Sequence, residues 1–253
     1  MTEFLGRMDR RAFLGGAASM AGLGLSGRSA LAQAAGFAVP ELGSVADMYA
    51  AREDGGHRLP GIPVDKLNRR FVRQIVIDPT FEKPGTIVVD TSTHYLYFVL
   101  DGKKAIRYGV SLGKAGFDWT GTATVQFKKA WPVWTPPPEM IKRRPELAKY
   151  AKGMPPGPQS PLGARALYLF KNGQDTMYRL HGTPEWDSIG KNASSGCVRF
   201  MNQDIIDLFA RVNGQTTVHV RHSMYLGANA GAVSKKPTTE AIDAGVPEGA
   251  ERL

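Results

Sequence analysis

Between Pro84 and residue 221 the chain alternates short apolar runs with turn residues, a pattern that predicts strands. Thr86–Asp90 is β-branched, and His94–Leu100 is rich in aromatics and too short for a helix. Asp101-Gly102 then signals a turn, with Ala105–Ser111 as the return strand of a hairpin. Further strands are expected at Ala123–Phe127, Ala166–Leu169, Met177–Leu180, Val198–Phe200 and Thr216–Val220. Closely spaced short strands of this kind predict a mainly β body, a sandwich or barrel, with one or two short helices.

Two segments read as helix. Glu139–Tyr150 follows three prolines, and Pro145 interrupts it. Gln203–Val212 is the stronger prediction: Asn202 stands at the cap position, Ile205, Ile206, Phe209 and Val212 form one apolar face, and Asn213-Gly214 ends it. Met154-Pro155-Pro156-Gly157-Pro158 must be irregular. Residues 33–84 mix short apolar pieces with Gly, Pro and charge, and read as an extended lead-in with a short helix near Val45–Arg52. Residues 227–253 carry almost no large apolar side chain, and the stretch over 222–253 reads as a disordered tail. No period of 20–50 residues appears, which argues against a solenoid or propeller.

The first 32 residues belong to targeting rather than fold. Asp9-Arg10-Arg11-Ala12-Phe13-Leu14 precedes an apolar stretch over Gly15–Leu25, and Ser29-Ala30-Leu31-Ala32 fits a small-x-small cleavage site. The paired arginines resemble a twin-arginine export signal. The apolar run is too short to span a ~30 Å hydrocarbon core, so no stable membrane span is expected. The organisation that follows is a leader over 1–32, a lead-in over 33–84, a main domain over 85–221 and a tail over 222–253, in a periplasmic protein.

Composition changes this picture little. Seventeen prolines and 29 glycines in 253 residues fit a loop-rich β body. The formal charge is +9; the leader holds four of the 32 basic and two of the 23 acidic residues, so the remainder keeps +7. That balance suits an acidic polymer of the cell envelope. Nucleic acid is not an expected partner, because no basic run is interleaved with aromatics.

Export sharpens the meaning of the one cysteine, Cys197, which has no partner in the chain for a disulfide. It lies in Ala193-Ser194-Ser195-Gly196-Cys197-Val198-Arg199, sixteen positions after His181. A thiol becomes a nucleophile by losing its proton, and an imidazole can take that proton and return it to an amine. Gly196 permits a sharp turn, and main-chain N–H groups of Ser195, Gly196 and Cys197 could form an oxyanion hole. A metal site is not expected, since one cysteine and scattered histidines lack close-spaced ligand pairs. No other cofactor is implied. Ser194 and Ser195 lack a G-x-S-x-G elbow and read as turn residues. His57 and His94 lie outside any motif, while His219 and His222 flank a late strand.

His181-Gly182-Thr183, Ile189-Gly190 and Ser194-Ser195-Gly196-Cys197-Val198-Arg199 together resemble the signature of the YkuD-type L,D-transpeptidases, cell-wall enzymes with a β-rich catalytic domain. Gly121-Thr122-Ala123-Thr124, Trp134-Thr135-Pro136-Pro137 and Ser160-Pro161-Leu162-Gly163 extend the likeness, which covers roughly residues 85–221. The resemblance implies that Cys197 is the nucleophile, that His181 is its base, and that the Gly182 carbonyl orients the imidazole. It implies attack on a peptidoglycan stem peptide, with transfer to another stem, to a protein or to water. Ser194, Trp134 and Arg199 become candidate substrate-binding residues; Arg199 either steadies the loop or meets a substrate carboxylate. Two departures stand out: Ser195 where many members have histidine, and Ser160 where many have asparagine. A sortase-like transpeptidase and a wall-binding module without catalysis are the competing readings. Papain-like hydrolases fit worse, having cysteine first in the chain.

Overall fold

The aromatic run Tyr95–Leu100 is buried at all six positions. Both of its faces must therefore be covered, and the two coverings define the architecture. The computed structural model describes residues 36–113, 120–194, 196–223 and 251–252; the expected leader and most of the expected tail lie outside them. In chain order the elements are α1 (Val45–Met48), β1 (Arg52–Asp54), β2 (His57–Leu59), β3 (Gln74–Ile77), β4 (Ile87–Asp90), β5 (Tyr95–Leu100), β6 (Lys104–Gly113) and β7 (Gly121–Ala130). There follow α2 (Pro138–Arg143), β8 (Arg165–Lys171), β9 (Gln174–Thr183), β10 (Asn192–Ser194), β11 (Val198–Met201), α3 (Asn202–Arg211), β12 (Thr216–Arg221) and β13 (Glu251–Arg252).

The sheet runs β6-β11-β9-β8-β7-β12-β4-β5 and closes because β5 also pairs with β6, giving a mainly β barrel. Strand β6 makes closure possible by serving two pairs of neighbours. Its first half lies between β5 and β3, and its second half between β11 and β10. Leu96, Phe98 and Leu100 of β5 point into the barrel among Ile87, Val110, Leu180, Val198 and Phe200. Tyr95 and Tyr97, on the other face, are covered by Phe71 and Val76 from the preceding segment. Alternation along a strand explains the division.

The sequence reading puts one short helix and no strand before Pro84. The structure has α1 there and also β1, β2 and β3. The hairpin β1–β2 turns at Gly55-Gly56, too short a unit for an alternating pattern to register. The Glu139–Tyr150 expectation resolves into α2 and a 3-10 turn over Pro145–Tyr150, split where Pro145 falls. In α3 the buried apolar positions are Ile205 and Leu208, with Val212 just beyond; Ile206 and Phe209 are only partly buried. Asn202 makes no capping bond, because its side chain is engaged elsewhere.

A buried polar network joins the first segment to α3. The Tyr49 hydroxyl donates to both oxygens of Asp204 at 3.1 Å and accepts the Arg73 main-chain N–H at 2.9 Å. Arg73 Nη1 lies 3.5 Å from Asp204 and 3.5 Å from Asp207. Asp207 also accepts from Tyr108 at 2.6 Å and from Arg211 at 2.9 Å. Burial pushes the Asp204 carboxyl up to about 7, with the Arg73 cation the strongest opposing influence.

Arg73→Met should therefore cost about 3–5 kcal/mol in urea unfolding, because it strands buried carboxylates. The folded-state Asp204 value lies above the unfolded one. Its contribution is fully present below the ordinary carboxylate range and fades as pH rises through about 7. The Arg73→Met deficit should accordingly be larger at pH 8 than at pH 5. Equal deficits at the two pH values would contradict this account.

Candidate active site

Strands β9 and β11 run parallel, with Leu180 opposite Val198 and His181 opposite Arg199. Leu180 and Val198 face the barrel core, so His181 and Arg199 stand together on the other face. Cys197 immediately precedes β11. Its Sγ lies 3.9 Å from the Met177 carbonyl, and the Arg179 main-chain N–H also bonds the sulfur. The charges of Arg179 and Arg199 act on both the thiol and the imidazole, which brings the four side chains into one electrostatic unit.

His181 is buried, and its Nδ1 lies 2.7 Å from the Gly182 carbonyl. With that carbonyl accepting, Nδ1 carries the proton and Nε2 is left as the basic nitrogen. Burial foremost, then the Arg199 charge, lowers the imidazole to about 3, overriding the favourable Gly182 bond. Burial of the sulfur raises the Cys197 thiol above its ordinary value, although Arg179 and Arg199 pull the other way. The resting pair is thus neutral thiol and neutral imidazole.

Beside the sulfur, β9 carries a bulge: three residues, Thr176, Met177 and Tyr178, stand where β8 has only Leu169. Met177 sits in the left-handed region at φ 63°. The Asp175 carboxylate holds the bulge by accepting two bonds from Arg179 at 2.7 Å and the Met177 N–H at 2.8 Å. Thr176 donates to the Leu169 carbonyl at 2.6 Å. Arg179 lies over the Tyr168 ring, its Cζ 4.5 Å from the centroid. Bulges next to reactive groups re-aim the backbone, and here two main-chain groups are aimed at a thiol.

Asn202 locks the strand that carries His181. Its Oδ1 accepts from the Ala164 N–H at 2.8 Å and its Nδ2 donates to the Thr183 carbonyl at 3.0 Å. A Cβ at Gly182 would collide with that same Oδ1, which gives the glycine after His181 a steric reason. Sequence reasoning missed this role, since the partners lie far along the chain. It also missed His94, whose Nε2 is 2.9 Å from Asn192 Oδ1 at the start of β10. His57 packs against Trp131, and His219 bonds Thr122.

Of the remaining expected site residues, Gly196 has φ 143°, where a side chain is disfavoured. Ser194 ends β10, and Ser195 lies outside the described residues. Arg199 donates to Glu185 at 3.0 Å. Trp134 belongs to the segment between β7 and α2, where it bridges to Met154.

The closed β-barrel therefore carries a histidine on β9 and a cysteine directly before β11, at neighbouring positions of two parallel strands. The chain matches the YkuD L,D-transpeptidase catalytic domain over residues 84–220, and it belongs to that family. It is similar to the probable L,D-transpeptidase ErfK/SrfK of Escherichia coli, 31% identical over 58% of this chain and 47% of the relative. It is also similar to the putative L,D-transpeptidase YqjB of Bacillus subtilis, 30% identical over 52% of this chain and 68% of the relative. A solved Brucella melitensis structure, described as a probable carnitine operon oxidoreductase, is 44% identical over 58% of this chain and 91% of that one, with a TM-score of 0.43. The chain spans about half the length of the Escherichia coli relatives it matches.

Two outcomes follow. In the free protein, the rate of Cys197 alkylation by iodoacetamide, read by intact mass, should climb with pH without a plateau until above the ordinary thiol range near 9. A plateau near pH 6–7 would instead indicate a resting thiolate. Asn202→Ala should lower stability by about 1–3 kcal/mol through unsatisfied Ala164 and Thr183 groups. It should also reduce turnover more than substrate affinity, which steady-state kinetics would separate.

Proposed function

We propose that the protein is a peptidoglycan L,D-transpeptidase working through a covalent acyl-enzyme on Cys197. The observation that carries this reading is the His181 geometry: Nδ1 is committed to the Gly182 carbonyl, one strand over from the residue pair that follows the thiol. Nε2 is thereby available to take the thiol proton as the sulfur attacks. Because the resting pair is neutral, proton transfer accompanies attack rather than preceding it.

The sulfur attacks the carbonyl of the third residue, a diamino acid, in a tetrapeptide stem. The C–S bond forms, and the resulting oxyanion is met by main-chain N–H groups of Ser195, Gly196 and Cys197. Collapse expels D-alanine, whose amine takes the proton held by His181. An amine of another stem then loses its proton to His181, attacks the thioester and restores the thiol. A protein amine as acceptor would yield a tethered protein, and water would make the enzyme a carboxypeptidase. The Arg10-Arg11 leader supports export through the twin-arginine route to the periplasm, where this polymer lies. Among the described residues no helix is long and apolar enough to cross a membrane.

Incubating the protein with purified disaccharide-tetrapeptides should give cross-linked dimers and free D-alanine by mass spectrometry. Cys197→Ala should give neither while keeping the thermal midpoint of the parent. Undiminished dimer from Cys197→Ala would sink the proposal, and tripeptide alone would replace transpeptidation with hydrolysis.

A further inference from the structure

Three of the arginine–carboxylate contacts invite comparison. Arg179 and Arg165 each hold an aspartate through two bonds of 2.7 Å, with both partners largely buried. Arg199 differs. Its side chain is only 17% exposed and stands beside His181, yet its carboxylate partner, Glu185, is 64% exposed. Among the described residues a single bond of 3.0 Å from Nη1 joins them, where Arg165 and Arg179 each use both terminal nitrogens; the buried Nε of Arg199, like that of Arg165, has no partner. A guanidinium offers five donors in a fork suited to two-point capture of a carboxylate, and this one is engaged at one point.

Glu185 is also free to let go. Its main chain is held independently of its carboxylate: the N–H donates to Thr183 Oγ1 at 3.1 Å, and the carbonyl accepts from Ser188 Oγ at 2.6 Å and from the Ser188 N–H at 3.0 Å. The side chain can leave Arg199 without unfolding the loop. Replacing one carboxylate by another leaves the charge on the guanidinium balanced, so the exchange carries no burial of an unpaired ion.

We propose that Glu185 is a built-in competitor for a carboxylate of the acyl donor. It occupies Arg199 in the resting enzyme and is displaced when that carboxylate docks beside His181. This makes Arg199 and Glu185 specificity-determining, and it rests on the transpeptidase reading above. Two carboxylates of the donor share the required chemistry, that of the terminal D-alanine and the free one of the diamino acid.

The test measures Kd by calorimetric titration in the full chain, using Cys197→Ala to prevent turnover, with and without Glu185→Gln. Three disaccharide-tetrapeptides serve as probes: unmodified, amidated at the D-alanine carboxyl, and amidated at the diamino acid carboxyl. Glu185→Gln should tighten the unmodified donor by up to about fivefold, the factor that an exposed ion pair of ~1 kcal/mol corresponds to at RT of ~0.59 kcal/mol. The amide that removes this gain identifies the recognised carboxylate. Adding Arg199→Lys should weaken the unmodified donor and abolish the Glu185→Gln effect. Unchanged or weaker binding in Glu185→Gln, an equal gain for all three donors, or no binding of any donor overturns the inference. A fall in thermal midpoint with weaker binding would instead make Glu185 a brace for its loop. Turnover by the parent protein is scored separately: absence of D-alanine release there would overturn the transpeptidase reading and leave the binding comparison intact.

Discussion

The site depends on one register, the parallel pairing of β9 with β11 that sets Arg199 opposite His181. A slip by one residue would turn His181 into the barrel and Leu180 out of it. The register is protected by its apolar half: Leu180 and Val198 are both fully buried, as is Phe200 two positions on. The same alternation that fills the barrel thus fixes which polar residues share the outer face. Core and chemistry are two sides of the same strands.

Given that register, the electrostatics follow from burial. An imidazole held to about 3 and a thiol raised above its ordinary value describe a pair that stores no charge separation at rest. Two nearby guanidiniums favour a thiolate once formed, and both oppose a protonated imidazole. The balance disfavours a standing thiolate, the form of the sulfur most open to oxidation. Asp175 has a moderating place here, since its charge works against the thiolate while its bonds hold the bulge that supports the sulfur.

Most barrel strands were legible in the sequence because their burial alternates or is continuous over short runs. β6, β7, β8 and β9 lie where apolar periodicity places them, extended by one to three residues at each end; β11 and β12 begin at the expected residue and run one further, while β10 was not expected. Cys197 and His181 were legible from residue type and spacing, and Gly182 from family resemblance. What stayed hidden depends on distant partners. Asn202 reads as a helix cap until Ala164 and Thr183 are known to flank it. Phe71 and Val76 read as loop until the outer face of β5 needs cover. The neutral resting pair follows from burial, which no spacing records.

The segment before Pro84 bears on the site through the same logic. The chain between His181 and Cys197 is a crossover with little regular structure, and such a segment has substantial conformational entropy to lose. Its Ile189 and Trp186 pack with Met48, Tyr49, Leu67 and Phe71 in a second apolar cluster. A Cβ at Gly190 would meet the Phe71 ring, so the crossover approaches that ring as closely as a main chain can. Tyr49 and Arg73 tie the same segment to α3, which begins directly after β11. The crossover is therefore braced from the face opposite the barrel, at the residues next to Glu185 and upstream of the thiol. A segment that reads as an extended lead-in is, in packing terms, the outer wall of the crossover that leads to Cys197.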